Sequence, residues 1–108
     1  MTKKQLENMT LELRRGVLAL AVLSQLHQEH YGYSLIKQLN EQGLEIDQGT
    51  LYPLLRRLES KGILDSEWRV EGPRPRRYYK TSPDGKRVLT ALSQEWQNLI
   101  TVMKGLLS

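Results

Sequence analysis

The sequence predicts a mainly α-helical fold that contains one small β-hairpin and ends in a long helix. Three observations lead to this class. Apolar residues recur at helical spacing along most of the 108-residue chain. One stretch after Gly62 carries aromatic and β-branched residues on both sides of a Gly/Pro-rich break, which is typical of an antiparallel hairpin. The chain has no alternation of strands and helices, so a parallel sheet is not expected.

The composition is that of one soluble globular domain. Hydrophobic residues make up 39% and charged residues 26% of the chain, both near the averages for such domains. A chain of this length can build one core but not two. It has no cysteine, which excludes disulfides, thiolate chemistry and cysteine-ligated metal sites, and which fits a reducing compartment.

The first helix is predicted from Leu11 to His27. Its apolar residues cover most of its circumference, so it should be buried on two sides. Arg14-Arg15 followed by the apolar run Gly16–Leu26 resembles a secretory leader, but cleavage there would remove the most hydrophobic segment of the core. The run is also shorter than the roughly 20 residues that cross a bilayer. We therefore expect a cytoplasmic protein with no membrane partner.

Two shorter helices follow. The second is predicted from Tyr33 to Gln42, with Gly43 as its C-terminal stop. The third ends before Gly62, and its N-cap is either Asp47 or Thr50; Pro53 favours Thr50, because proline is tolerated in a first turn. Its apolar positions form one side of the helix, and these are Leu51, Leu54, Leu55 and Leu58.

The hairpin is predicted between Ile63 and Thr81. Its strands contain Trp68 and Val70 on one side and Arg77–Thr81 on the other. Between them Glu71–Arg76 is expected to form a somewhat long loop that carries arginines.

The last helix has a strong start signal, with Ser82 as N-cap, Pro83 at the first helical position and Asp84 in the first turn. It is expected to run to about Leu107. Six apolar residues within it lie 3, 4, 3, 4 and 3 positions apart, which is a heptad seam: Leu89, Leu92, Trp96, Leu99, Met103 and Leu106.

A seam of this kind facing water would be unusual for a monomer, so the sequence predicts a homodimer. The alternative for part of the seam is packing against the protein's own first helix, and both can hold at once. The predicted dimer interface adds Leu13, Val17 and Leu20 to the six seam residues. Residues 83–108 would form the dimerisation helix and residues 1–82 the rest of one compact unit.

The charge of the chain is concentrated in one region. Residues 50–87 contain ten of the 16 basic residues and five of the 12 acidic ones, so the rest of the chain is slightly acidic. A local basic stretch favours a polyanionic partner, although a solvated surface is the simpler explanation for any single arginine.

Two short helices joined by a glycine-containing turn and followed by a hairpin wing form a winged helix-turn-helix, whose second helix lies in the major groove of DNA. The side of the third helix opposite its leucines carries small residues and arginines, which suits a groove. The predicted contacts to double-stranded DNA are Tyr33, Lys37, Gln48, Gly49, Thr50, Tyr52, Pro53, Arg56, Arg57, Lys61, Arg74, Arg76 and Arg77. The alternative is a winged-helix protein-interaction module that does not bind DNA.

The chain resembles the PadR-like transcriptional regulators, and within them the smaller subfamily with a single C-terminal helix. The resemblance is carried by Tyr31-Gly32-Tyr33, by the run from Gly49 to Glu59, by Gly62-Ile63-Leu64 and by Arg77-Tyr78-Tyr79 leading to Gly85. Asp47-Gln48 and the proline-rich wing tip depart from the usual pattern of the family.

The resemblance implies a dimeric repressor that binds a palindromic operator and is released by a small effector or a stress signal. In some family members a tryptophan at the place of Trp96 stacks on flat aromatic effectors. Trp96 is therefore a candidate effector contact, with simple hydrophobic packing as the alternative.

No enzyme is expected, because the chain lacks a thiol and a phosphate-binding glycine loop. His27 and His30, with Glu29, could be taken for a metal pair, but no third ligand cluster lies nearby in the sequence. We expect neither a metal site nor a cofactor.

Overall fold

The computed structural model describes all 108 residues and has the predicted class, four helices and a small antiparallel sheet. The elements in chain order are α1 (Lys3–Gln25), β1 (His30–Tyr31), α2 (Gly32–Glu41), α3 (Gln48–Ser60), β2 (Leu64–Glu71), β3 (Arg74–Thr81) and α4 (Pro83–Leu107).

Helix α1 begins eight residues before the predicted start at Leu11. Thr2 caps it through a capping box: the Thr2 hydroxyl accepts the Gln5 amide at 3.1 Å, and the Gln5 side chain accepts the Thr2 amide at 2.7 Å. The prediction was wrong because the first turns have no buried face. Every residue from Met1 to Leu13 is exposed, so apolar periodicity does not mark this part of the helix.

The sheet has a third strand that the sequence analysis did not predict. Strand β1 pairs antiparallel with β3, His30 opposite Tyr79 and Tyr31 opposite Tyr78, which gives the order β1-β3-β2. Two residues are too few to show the alternation by which a strand is recognised.

The wing turn is shorter than predicted. Strand β2 continues to Glu71 and β3 begins at Arg74, so only Gly72 and Pro73 form the turn. Gly72 has φ 66°, as the first central position of a type II′ hairpin turn requires. Pro75 is tolerated in β3 because β1 pairs only with Tyr78 and Tyr79, so the edge of β3 is open at the proline.

Asp47, rather than Thr50, is the N-cap of α3. Its carboxylate accepts the Thr50 amide at 2.8 Å, which places Pro53 inside the helix. This hydrogen bond holds the pKa of Asp47 below its usual value. The carbonyl of Gly49 has no amide at Pro53 to accept from, but Gly49 and Pro53 are both exposed, so water can satisfy this carbonyl.

The core lies between α1, α2, α3 and the sheet. Its largest fully buried side chains are Val22, Leu23, Leu26, Leu35, Leu51, Leu55 and Leu64. Helix α4 meets this core only near its start, where Val88 and Leu89 pack against it. Beyond Leu89 the helix leaves the core. No helix combines the length and the apolarity that crossing a membrane requires.

The start of α4 is fixed by the predicted cap. Ser82 accepts the Gly85 amide at 3.0 Å and donates to the carbonyl oxygen of Gly62 at 2.6 Å. Gly85 is buried, and a Cβ added there would lie 2.0 Å from the carbonyl oxygen of Ile63. Only glycine allows α4 to approach the turn between α3 and β2 this closely.

Candidate nucleic-acid interface

Helix α3 has one buried and one exposed side, as its periodicity predicts. The four leucines of the helix are buried. Gly49, Pro53, Arg56, Arg57 and Ser60 are exposed on the other side. The packing of the leucines therefore fixes the helix with its two arginines pointing into solvent.

A cleft of about 590 Å³ separates the start of α3 from the wing. It contains four arginines and no acidic residue, so its field is positive. It is lined by Tyr31, Gly32, Tyr33, Gln48, Tyr52, Arg56, Trp68, Arg74, Pro75, Arg76, Arg77 and Tyr79. Seven of these are predicted DNA contacts. Trp68 is a further cleft residue that the sequence analysis placed only in a strand.

The remaining predicted contacts lie outside the cleft. Lys37 is exposed on α2, and Lys61 is exposed at the C-cap of α3. Gly49, Thr50, Pro53 and Arg57 are exposed on α3.

Close packing of α2 against α3 shapes one wall of the cleft. A Cβ at Gly32 would lie 2.1 Å from Cε1 of Tyr52. Glycine at this position therefore lets the Tyr52 ring lie against the first turn of α2.

The apolar seam of α4 is exposed in the single chain. Leu92, Trp96, Leu99, Met103 and Leu106 are 38–71% exposed, whereas Leu89 is half-buried. Of the predicted interface residues on α1, Leu13 is exposed and Val17 and Leu20 are half-buried. A groove of about 270 Å³ between the two helices is lined by Val17, Leu20, Ala21, Ser24, Ser93, Trp96 and Gln97.

Residues 19–91 match the model of the transcriptional regulator PadR-like family, which is more than half of the chain. The chain belongs to this family. The PadR-like chain is thus a transcriptional regulator, as its resemblance predicted, and this family role is not enzymatic.

Relatives of this PadR-like regulator agree. It is 40% identical over 80 residues to the transcriptional regulator Rv3488 of Mycobacterium tuberculosis, covering 73% of this chain and 75% of the relative. A crystal structure of a PadR family transcriptional regulator from Eggerthella lenta is 48% identical, with a TM-score of 0.89 over 97% of this chain and 94% of the other. A PadR-like regulator from Bacillus cereus is 29% identical, with a TM-score of 0.78 over 90% and 97% of the two chains.

Arg77 of the PadR-like wing is bonded to helix α3. Arg77 donates through Nη2 to Oε1 of Glu59 at 2.6 Å and through Nε to the hydroxyl of Ser66 at 3.0 Å. Ser66 in turn donates to the second carboxylate oxygen of Glu59. This cluster of Glu59, Ser66 and Arg77 joins the last turn of α3 to both strands of the wing.

Arg76 lies on the face of the wing that points away from α3, where an aromatic ring holds it in place. The Arg76 guanidinium lies 4.4 Å from the centroid of the Tyr31 ring, and Tyr31 packs edge-on against Tyr78. Arg69 lies over Tyr78 at 4.5 Å and binds Glu29 through two hydrogen bonds of 2.6 and 2.8 Å. The bonds from Arg69 lower the pKa of the Glu29 carboxyl. Among the wing arginines, only Arg74 is left without an intramolecular ion pair or ring contact.

The two histidines have structural partners. His27 Nδ1 lies 2.9 Å from the Ser24 carbonyl oxygen, and His30 Nδ1 lies 3.1 Å from the Ser34 hydroxyl. Burial lowers the pKa of His30, which favours the neutral ring at the base of the wing.

Proposed function

We propose that this PadR-like regulator binds double-stranded DNA as a homodimer and represses transcription from a pseudo-palindromic operator. The observation that carries the proposal is the exposed, basic side of α3 beside a cleft that contains four arginines and no acid. Three of these four arginines, Arg56, Arg74 and Arg76, form no ion pair within the chain, so their charges are free to contact phosphates.

The roles of the side chains follow from their places. Arg56 points outward from the middle of α3, where an arginine can bond guanine edges in the major groove. Gln48, Gly49 and Thr50 form the narrow leading turn of the helix. Four other residues would lie further from the floor of the major groove and would contact phosphates: Tyr33, Lys37, Arg57 and Lys61.

The wing arginines divide into two groups. Arg74 and Arg76 are exposed near the wing tip and would enter the minor groove or contact phosphates. Arg77 is bonded to Glu59, so we assign it the task of holding the wing against α3. Its contribution to DNA binding would be one of positioning.

Dimerisation through the α4 seam would produce the symmetry of the operator. Residues 83–108 would form the dimerisation helix, with Leu13, Val17 and Leu20 of α1 adding to the interface. A helix of 25 residues is roughly 35 Å long, close to one turn of DNA. Two recognition helices at this separation would contact two successive half-sites.

A small, flat aromatic effector could act at the dimer helices. The groove between α1 and α4 has Trp96 in its lining, and the indole is 38% exposed in the single chain. A ligand stacked on this ring would change the contact between the two helices and so the spacing of the recognition helices.

The proposed function is tested by comparing specific and random DNA. Operator sequences are first selected from genomic DNA by the purified protein, and binding is then measured by anisotropy at several salt concentrations. We expect Arg56→Ala to weaken operator binding by about 5- to 100-fold and random-duplex binding much less, the scale of one lost base contact. Lys61→Ala is the matched control, because loss of a phosphate contact weakens both equally and reduces the salt slope by about one.

If Arg56→Ala loses the same affinity for operator and for random duplexes, Arg56 contacts a phosphate and not a base. A wild-type protein that binds no duplex even at low salt would contradict DNA binding itself and favour the interaction module.

If Arg77 positions the wing, removing the charge of its partner Glu59 should weaken operator binding, although charge alone predicts stronger binding. Glu59→Gln removes an acid beside the DNA-binding surface, which by charge alone should strengthen binding. We expect it instead to weaken operator binding by about fivefold, since the partly exposed ion pair that joins the wing to α3 is worth about 1 kcal/mol. Anisotropy with the operator duplex measures the change.

Glu41→Gln is the control for Glu59→Gln. Glu41 is exposed at the end of α2 and makes no ion pair or side-chain hydrogen bond, so its removal tests charge alone. Binding by Glu59→Gln that is as tight as that of Glu41→Gln would show that the cluster does not position the wing.

A further inference from the structure

The most exposed aromatic ring of the wing faces the cleft. Trp68 is 64% exposed. It lies opposite Arg77 in the hairpin and therefore on the same face as Arg77, the face turned toward α3. The next residue on this face is Val70, which is 81% exposed and lies opposite Pro75. The inner face of the wing tip is thus apolar and open to water.

The packing of Arg77 keeps the indole at this place. The Arg77 guanidinium, held by Glu59, lies 5.7 Å from the centroid of the Trp68 ring. The indole is therefore supported on one side while most of its surface stays free. An exposed tryptophan on a rigid strand is typical of a binding residue rather than of a core residue.

The cleft combines two chemistries. Arg56 and Arg74 form no ion pair within the chain, and Tyr33 and Tyr52 bring two further aromatic rings to the lining. A purely anionic ligand would leave the apolar faces in water, and a purely apolar ligand would leave the guanidinium groups unsatisfied. The sugar–phosphate backbone of DNA alternates anionic phosphates with deoxyriboses that present C–H surfaces, so it satisfies both.

The position of the cleft favours the same partner. One wall is formed by α3 together with the start of α2, and the other by the wing. If α3 lies in the major groove and the wing at the adjacent minor groove, the ridge between the grooves passes between them, and that ridge is one backbone strand.

We infer that this cleft holds the sugar–phosphate backbone of one DNA strand, and that Trp68 is a DNA-contact residue whose indole packs against a deoxyribose. The inference rests on the DNA binding proposed above. Arg56 and Arg74 flank the same strand, and Val70 extends the apolar contact toward the minor groove.

Fluorine NMR of the full-length protein tests this contact. The chain has two tryptophans, so labelling with 5-fluorotryptophan gives two signals, and the signal lost in Trp68→Phe identifies Trp68. Selected operator duplex is added while anisotropy of the same duplex measures binding. We expect the Trp68 signal to shift and to saturate together with the anisotropy.

Two variants measure the contribution of the ring. Trp68→Ala is expected to weaken duplex binding by roughly fivefold or more with an unchanged salt slope, because it removes an apolar contact and no phosphate contact. Trp68→Phe retains an aromatic face and should restore most of the affinity.

The outcomes separate this inference from the proposed function. If the duplex binds without shifting the Trp68 signal, and Trp68→Ala binds the duplex as tightly as wild type, the Trp68 contact is wrong while DNA binding stands. A duplex that does not bind at all overturns both. A Trp68 signal that moves on dilution without DNA would assign the surface to a second copy of the chain, and equal binding of thymidine monophosphate and duplex would assign it to free nucleotides.

Discussion

Replacing Leu99 by glutamate is expected to convert the proposed dimer into a monomer and to weaken operator binding by about 100-fold or more. Leu99 lies in the middle of the α4 seam and is 43% exposed in the single chain. A second copy of the chain would bury this exposed surface. A carboxylate there would have to lose its water in an apolar interface, once for each subunit. Separated subunits would also lose the gain of binding two half-sites at once, which is about 100- to 10,000-fold.

The measurement combines sedimentation equilibrium with anisotropy on the operator duplex. Wild-type protein should sediment at twice the 12.5 kDa of one chain and Leu99→Glu at that of a single chain. Gln94→Glu adds the same charge to an exposed site of α4 outside the seam and should leave both results unchanged. A Leu99→Glu protein that still sediments as a dimer would contradict the seam as the interface.

Gly85→Ala is expected to destabilise the fold by about 3 kcal/mol or more, the upper range for overpacking a rigid site. The added methyl group would lie 2.0 Å from the Ile63 carbonyl oxygen and 2.7 Å from Thr81 Cγ2. A backbone carbonyl cannot rotate away as a side chain can. This carbonyl also accepts the Ser82 amide at 3.0 Å, so its displacement would weaken a hydrogen bond that holds the start of α4.

Urea unfolding followed by circular dichroism measures the loss at one fixed protein concentration, because dimer stability depends on concentration. Gly105→Ala is the control in the same helix. Nothing lies within 4 Å of a Cβ added at Gly105, so this change should stabilise the helix by up to about 1 kcal/mol. A Gly85→Ala protein as stable as wild type would show that α4 can begin further from the α3–β2 turn.

The two sides of α3 could be predicted from the sequence because they depend on helical periodicity alone. Four leucines define the buried side, and the exposed side of Arg56 and Arg57 follows. The start of α4 was predictable for a similar reason, since Ser82, Pro83 and Asp84 act on their own helix end.

The missed elements lack such a local signal. Strand β1 has two residues and exists only because β3 pairs with it. The first turns of α1 bury nothing, so only the Thr2–Gln5 capping box could have marked the start. The wing turn was predicted too long because prolines at 73 and 75 are typical of a loop, whereas an open strand edge accommodates Pro75.

The different role of Arg77 depends on a contact 18 residues away in the sequence. Its charge resembles that of Arg74 and Arg76, and only the fold brings Glu59 to 2.6 Å. One signal was available. Arg77 lies two residues before the buried Tyr79 in β3, and residues two apart in a strand share one face, so Arg77 lies on the inward face. The same reasoning places Trp68 in the cleft once its register with Arg77 is known.

In the proposed dimer, two copies of the exposed, basic α3 are held at the spacing of successive major grooves of DNA. The most direct test is to sequence the genomic DNA that the purified protein selects at physiological salt. We expect an enriched pseudo-palindrome whose half-site centres lie about 10 base pairs, one turn of DNA, apart. Enrichment of a single, asymmetric half-site, or no enrichment over the input pool, would contradict it.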